Sequence, residues 1–390
     1  MSPGEPVTGL ILSGGGARAA YQVGVLAAIA ELLPAGASNP FPVIVGTSAG
    51  AVNAVSLASG ALDFSAAVRR LTEFWQGFRS HQVLRSDWPG VIRQASRFVS
   101  HSLLGIGAKV PVALLNSSPL RHLLEHKLDL RGIDQAIAQK QLHAVAVTAF
   151  GYESGQAVTF YQGGRSIDAW LRHRRVGVPT QLKVEHLLAS SAIPLLFAPV
   201  KIGDEYFGDG AVRQSAPISP ALHLGASRVL VVGVSGNPRG LDPQNPMQRA
   251  YTGQQPSLAQ IGGHMLNSTF IDSLESDIEL LQRLNQFSQL LPINEQSRSL
   301  GVAPVDVLVI APSQPIDEIA ARHRQELPPA LRLFLRGPGA TRTSGAGVLS
   351  YLLFEAGYCS ELIELGRRDA LAKRDELCRF LGITEPAIPA

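Results

Sequence analysis

Cysteine, long apolar runs and net charge are all scarce in this chain of 390 residues. Cysteine occurs twice, at Cys359 and Cys378, too few for the bridges that staple small secreted folds, and that scarcity fits a reducing compartment. No run approaches the ~18 uninterrupted apolar residues of a membrane span. The opening MSPGEPVTGLIL has no basic stretch ahead of a long apolar core, so no secretory leader is read there. With 34 Lys and Arg against 31 Asp and Glu, the formal charge of +3 is too small to mark a nucleic-acid binder. The expected protein is soluble and cytoplasmic, with peripheral contact at the inner membrane face left open, and has no nucleic-acid partner.

What is present is an ordinary globular composition, 45% hydrophobic and 17% charged, in a chain long enough to bury a large core. Val7 to Leu12 has strand length and ends in glycines, and Ala17 to Leu33 is apolar and helix-forming up to Pro34. The plan repeats as a strand at Val43 to Val45, a turn at Gly46 to Gly50 and a helix from Ala51 to Ser59. Helical patterning is expected from Phe64 to Leu130. Strands follow at Leu142 to Phe150 and Ala157 to Tyr161, a hairpin around Val200 to Val212, and buried strands at Val229 to Val234 and Val305 to Pro312. A loop is read over 236–256 and a helix over 258–291, and the tail from Pro315 reads as helices interrupted near Gly337 to Gly347. Strands alternating with helices predict a layered α/β fold.

Two glycine turns carry the chemistry. Gly14, Gly16 and Ala19 match a dinucleotide-binding fingerprint. The second strand ends VIVGTSAG, however, without the carboxylate that would hold a ribose. GTSAG, from Gly46 to Gly50, fits G-x-S-x-G, the strand-to-helix elbow that exposes a nucleophilic serine, here Ser48. Acyl transfer through serine then needs convergent N–H donors, and Gly14, Gly15 and Gly16 present backbone without obstruction. Arg18 lies two residues further on and serves either to hold that loop or as a solvated residue. For a base, His223, His264 and His323 lie in no loop motif, whereas Asp209 sits between two glycines in FGDGAV.

GGGAR, GTSAG, ASSAIP (Ala189 to Pro194) and DGA (Asp209 to Ala211), in that order, resemble the patatin-like phospholipases, and the likeness extends over roughly the first 235 residues. The resemblance implies a three-layer α/β/α fold with a mostly parallel central sheet and helical insertions. It also implies a serine–aspartate dyad that uses neither a catalytic histidine nor a metal or cofactor. Carried over, Ser48 is the nucleophile in an elbow set by Gly46 and Gly50, Asp209 is the base, and Gly14 to Gly16 with Arg18 form the oxyanion loop. Ala19 and Ala211 stand where the family more often has glycine. A free aspartate, with a pKa near ~3.9, is a poor base at neutral pH, so burial is expected to raise that of Asp209.

The implied substrate is a phospholipid or lysophospholipid. An acyltransferase using the same dyad and a silent lipid-binding scaffold are the alternatives, and oligomeric state is not legible. Residues 1–312 are expected to form the catalytic domain, and 313–390 a helical extension packed on it, similar to those of bacterial members. The basic and aromatic stretch within 64–130, including Arg69, Arg70, Trp75, Phe78, Arg85, Trp88, Arg93, Arg97, Phe98 and Lys109, reads as a lid that faces a membrane. Leu171 to Arg175 (LRHRR) reads as a solvated loop. Met265, Leu266, Phe270, Ile271, Leu274, Ile278, Leu281 and Leu284 recur at helical spacing as a core-facing stripe.

Overall fold

The computed structural model describes residues 6–34, 36–83, 113, 115–235, 255–289, 304–336 and 346–383. In chain order, β1 (Thr8–Leu12) leads through a 3-10 turn (Gly16–Ala19) into α1 (Ala20–Leu32), and β2 (Val43–Thr47) into α2 (Ala49–Ser59). Next come α3 (Phe64–Gln76), α4 (Ser80–Val83), α5 (Ser118–Lys127) and α6 (Arg131–Ala138). The strands β3 (Ala144–Gly151), β4 (Ala157–Gly163), β5 (Trp170–Arg172) and β6 (Arg175–Pro179) precede α7 (Val184–Ser190). The hairpin of β7 (Val200–Ile202) and β8 (Glu205–Asp209) is followed by α8 (Ser219–His223) and β9 (Arg228–Val232). Then α9 (Leu258–Asn267) and α10 (Ser273–Gln289) are joined by a π-helical turn (Ser268–Asp272), and β10 (Asp306–Ile310) follows. The chain closes with α11 (Ile316–His323), α12 (Pro329–Arg336), α13 (Ala346–Leu352), α14 (Ala356–Ala372) and α15 (Arg374–Leu381).

Among the described residues ten strands form one sheet with the main order β10-β9-β1-β2-β3-β4-β6-β5, and the β7–β8 hairpin is attached to β3. The five strands from β10 to β3 are parallel. Side-chain alternation divides the core in two. Leu10, Leu12, Ile44 and Val145 face α1, α2 and the C-terminal helices, and Ile11, Val43, Val45 and Ala144 face the layer that holds Ile218 and Leu274. That is the expected three-layer α/β/α architecture with a mostly parallel sheet.

Helix α1 is apolar on every side, a pattern that demands cover on every side. Helices α14 and α3 pack directly against it, and Leu10 and Leu12 of the sheet belong to the same core cluster. A Cβ at Gly24 would collide with the backbone of Ile363, and one at Gly366 with the carbonyl of Tyr21, so the two helices approach to backbone contact. Cys359 and Cys378 are free, buried thiols. Among the described residues no helix is long and apolar enough to cross a membrane.

Several expectations change in detail. The segment read as one helix over 258–291 is broken by the π turn, a feature that recurs at functional sites. Of its predicted core stripe, Met265 and Leu284 point to solvent, whereas Phe270 and Leu274 are buried. The LRHRR stretch is the exposed end of the β5–β6 hairpin rather than a plain loop. Trp75 and Phe78 are buried, and Arg69 and Arg70 are exposed. The stretch containing Arg85, Trp88, Arg93, Arg97, Phe98, Ser102 to Gly107 and Lys109 lies outside the described residues, as does most of 236–256.

Candidate active site

Ser48 and Asp209 are 161 residues apart in sequence, and one sheet edge brings them together. Strand β2 pairs with β3 up to Thr47 opposite Thr148. Strand β8 approaches the same edge of β3 from the other direction, and its last residue, Asp209, pairs with Ala149. The two strands meet end to end, so the residue after β2 lands beside the end of β8. Ser48 Oγ donates to Asp209 Oδ2 at 2.6 Å.

The elbow is held by close packing. Ser48 has φ 55° and ψ −130°, a conformation that costs an L residue about 1–3 kcal/mol and persists only where its surroundings impose it. Gly50 rests against the carbonyls of Leu12 and Ser13, which leave no room for a Cβ, and Gly46 lies equally close to the backbone of α2. The Ser48 N–H donates to Ser190 Oγ at 2.8 Å, and that hydroxyl donates to the Thr148 carbonyl at 2.6 Å. The Asp209 N–H donates to the Ala192 carbonyl at 2.9 Å. Ser190 and Ala192 both belong to ASSAIP, so this block grips the backbone of both residues, a role its sequence did not reveal.

Asp209 is fully buried. Desolvation pushes its pKa up to about 7, against the pull of hydrogen bonds from Ser48 and from the Ala211 N–H at 3.0 Å. The expected direction holds, and the carboxylate titrates where a general base works best near neutral pH. Beneath the pair, Thr47 donates to Gln214 at 2.6 Å and Gln214 donates to Thr148 at 3.2 Å, which ties the ends of β2 and β3 together.

The glycine loop lies against the same serine. Gly16 has φ 55°, and its Cα faces the backbone of Tyr351 so closely that a side chain is excluded. Among the described residues the N–H groups of Gly14 and Gly15 donate to no protein acceptor. Arg18 is buried with its guanidinium directed at the C-terminal helices. Its Nε donates to Ser350 Oγ at 2.8 Å, its Nη2 pairs with Asp317 at 2.6 Å, and the group lies 4.1 Å over the Tyr351 ring. Its side chain is thus committed to holding the turn after the loop.

The histidines lie elsewhere. His223 packs on Trp170 with Nδ1 on the Ser219 carbonyl, and His323 stands between Glu326 and Glu361. His264 is on α9. Beside Ser48 lies a partly open apolar cavity of about 50 Å³, whose walls include Val52, Trp75, Phe78, Ile193 and Phe354. Ser191 also lines it, with a buried hydroxyl that has no partner among the described residues. Sequence reasoning missed the contribution of Tyr351, Leu352 and Phe354 to this wall. The signal available was indirect: an all-apolar α1 required a covering element from somewhere in the chain.

The sequence model of one family, described as patatin-like phospholipase, matches residues 10–222. No curated protein matches the chain. Among solved structures the chain is similar to VipD from Legionella pneumophila, at 14% identity and TM-score 0.30, covering 92% of this chain and 67% of that one. It is also similar to the full-length SpcU–ExoU complex from the type III secretion system of Pseudomonas aeruginosa, at 16% identity and TM-score 0.27, covering 88% and 70%.

Proposed function

Because the chain belongs to the patatin-like phospholipase family, which implies lipid acyl hydrolase activity, we propose that it cleaves carboxylic ester bonds of phospholipids or lysophospholipids through Ser48 and Asp209. The observation that carries this reading is the 2.6 Å hydrogen bond from Ser48 Oγ to a buried carboxylate whose pKa lies near 7.

In the first half-reaction Ser48 Oγ attacks the ester carbonyl as Asp209 accepts its proton. The carbonyl oxygen becomes an oxyanion facing the N–H groups of the glycine loop, where each donor lowers the barrier by about 2.7–4 kcal/mol. Collapse breaks the bond to the alcohol, which leaves with the proton held by Asp209, and the acyl group stays on Ser48. Water then attacks the acyl-enzyme with Asp209 again as base, releasing the fatty acid and restoring the serine. The fixed, strained elbow supports this reading, because it holds Oγ toward the carboxylate before substrate arrives. Substrate is taken from a lipid surface, and the exposed arginines of α3 favour an anionic one.

The test is labelling with a fluorophosphonate, read by intact mass, beside fatty-acid release from dihexanoyl phosphatidylcholine and from long-chain phosphatidylcholine vesicles. Wild type should gain one adduct that Ser48→Ala abolishes, and both Ser48→Ala and Asp209→Asn should lose release. A folded wild type that neither labels nor releases fatty acid would overturn the reading.

A further inference from the structure

The wall of the cavity beside Ser48 has two origins. Ala49, Val52, Trp75, Phe78, Ile193 and Phe197 come from within residues 10–222, whereas Tyr351, Leu352 and Phe354 come from the C-terminal segment. Four aromatic rings cluster in this wall. Phe354 lies 5.6 Å from Phe78 and 6.4 Å from Trp75 between ring centres, Trp75 lies 5.0 Å from Phe78, and Phe74 meets Phe78 edge-on at 4.7 Å. Trp75 is pinned through its Nε1–H, which donates to Asn53 of α2 at 2.8 Å. Phe354 is pinned through its neighbour, because Glu355 accepts the Ser80 N–H at 3.1 Å. Rings anchored in this way form a stop rather than a soft plug.

Size then decides what fits. A water-sized group needs roughly 10–15 Å³ of such space, so about 50 Å³ takes roughly three to five methylene-sized groups. That is the length of a short acyl arm, far below that of a long-chain fatty acid. We propose that Phe354 is a specificity-determining residue that limits acyl-chain length, so that this chain prefers esters of short acyl groups and takes long ones only when that ring is displaced. The proposal rests on Ser48 being the residue that accepts the acyl group.

The experiment compares kcat/KM for p-nitrophenyl butyrate, octanoate and palmitate in wild type, Phe354→Ala and Phe354→Leu, with a thermal melt of each protein and fluorophosphonate labelling in parallel. In wild type, kcat/KM should fall at least about tenfold from butyrate to palmitate, in line with the discrimination a hydrophobic pocket reaches through steric fit. Phe354→Ala should raise the palmitate-to-butyrate ratio at least about tenfold, and Phe354→Leu by a smaller factor in the same direction. If Phe354→Ala does not fold, the Leu variant decides. A wild type that labels and hydrolyses all three esters equally, or a ratio that stays unchanged in the folded variants, overturns the proposal and leaves the hydrolase reading standing. A wild type that neither labels nor hydrolyses any ester removes both.

Discussion

The glycine turns at residues 8–50 and the helices at residues 346–381 meet at one cavity, yet they differ in how much of their role is written locally. In the first region each important residue is constrained by its immediate neighbours. Gly46 and Gly50 must be small because the turn is tight, and Ser48, though buried, is turned toward the cavity because it is the tip. In the second region Tyr351, Leu352 and Phe354 are ordinary apolar residues whose importance comes from what they touch. Chemistry of the backbone leaves a motif, and the shape of a wall does not.

The sharpest break of this comparison is at the dyad. Ser48→Ala should lower kcat for ester hydrolysis by at least about 10⁴, and Asp209→Asn by a similar or somewhat smaller factor; steady-state kinetics on folded variants checks both. If Asp209→Asn keeps near-normal activity, the carboxylate is not the base.

At the C-terminal region the largest effect should be on stability. Gly24→Leu or Gly366→Leu forces a side chain into the α1–α14 backbone contact and should cost about 1–3 kcal/mol or more. Equilibrium denaturation reads this directly, and an unchanged midpoint would mean that α14 does not sit on α1 as described.

Arg18 joins the two regions and offers a finer test. Arg18→Met removes the pairing with Asp317 and Ser350, leaving Asp317 without its cation and, among the described residues, with only the Ser350 hydroxyl as a donor. Because the guanidinium is buried while Asp317 is partly exposed, the loss should be about 1–3 kcal/mol of stability, with kcat reduced more than KM is raised. An equal fall in stability with kcat untouched would make Arg18 a structural brace only.

The pH dependence separates the regions most gently. Asp209 must be ionised to act, so kcat/KM should rise with pH through about 7 and level off above it. Its folded pKa lies above its ordinary value of 3.8, so the folded state binds the proton more tightly. The resulting stabilisation is full below about 3.8 and is lost as pH rises through about 7. The melting temperature of wild type should therefore fall relative to Asp209→Asn between pH 5 and pH 8. A constant difference over that range would show a carboxylate with an unshifted pKa.

Much of the site was legible before the structure. The strand–turn–helix plan around Gly14 and Ser48 came from spacing and turn chemistry, the candidate pairing of Ser48 with Asp209 came from family resemblance, and the expected rise of the Asp209 pKa came from the demands of a general base. The function of ASSAIP was not legible, because Ser190 and Ala192 act through a hydroxyl and a carbonyl that any similar segment carries. The break between α9 and α10 was missed because apolar spacing continues across Phe270 and Ile271, and a π turn leaves that pattern nearly intact. The LRHRR stretch gave no sign of strand pairing, because at a sheet edge strands need only backbone partners.

By itself the sequence determined the two tight turns, the residue types able to perform acyl chemistry and the alternation that makes a parallel sheet, because each depends on interactions within a few residues. The meeting of Ser48 with Asp209 was decided by tertiary structure, through two strands that share one edge of β3. Tertiary structure also decided how far Asp209 is removed from water, and it brought Phe354 to the cavity across about three hundred residues of chain. Burial and shape arise from the packing of distant elements, so no local stretch of residues encodes them.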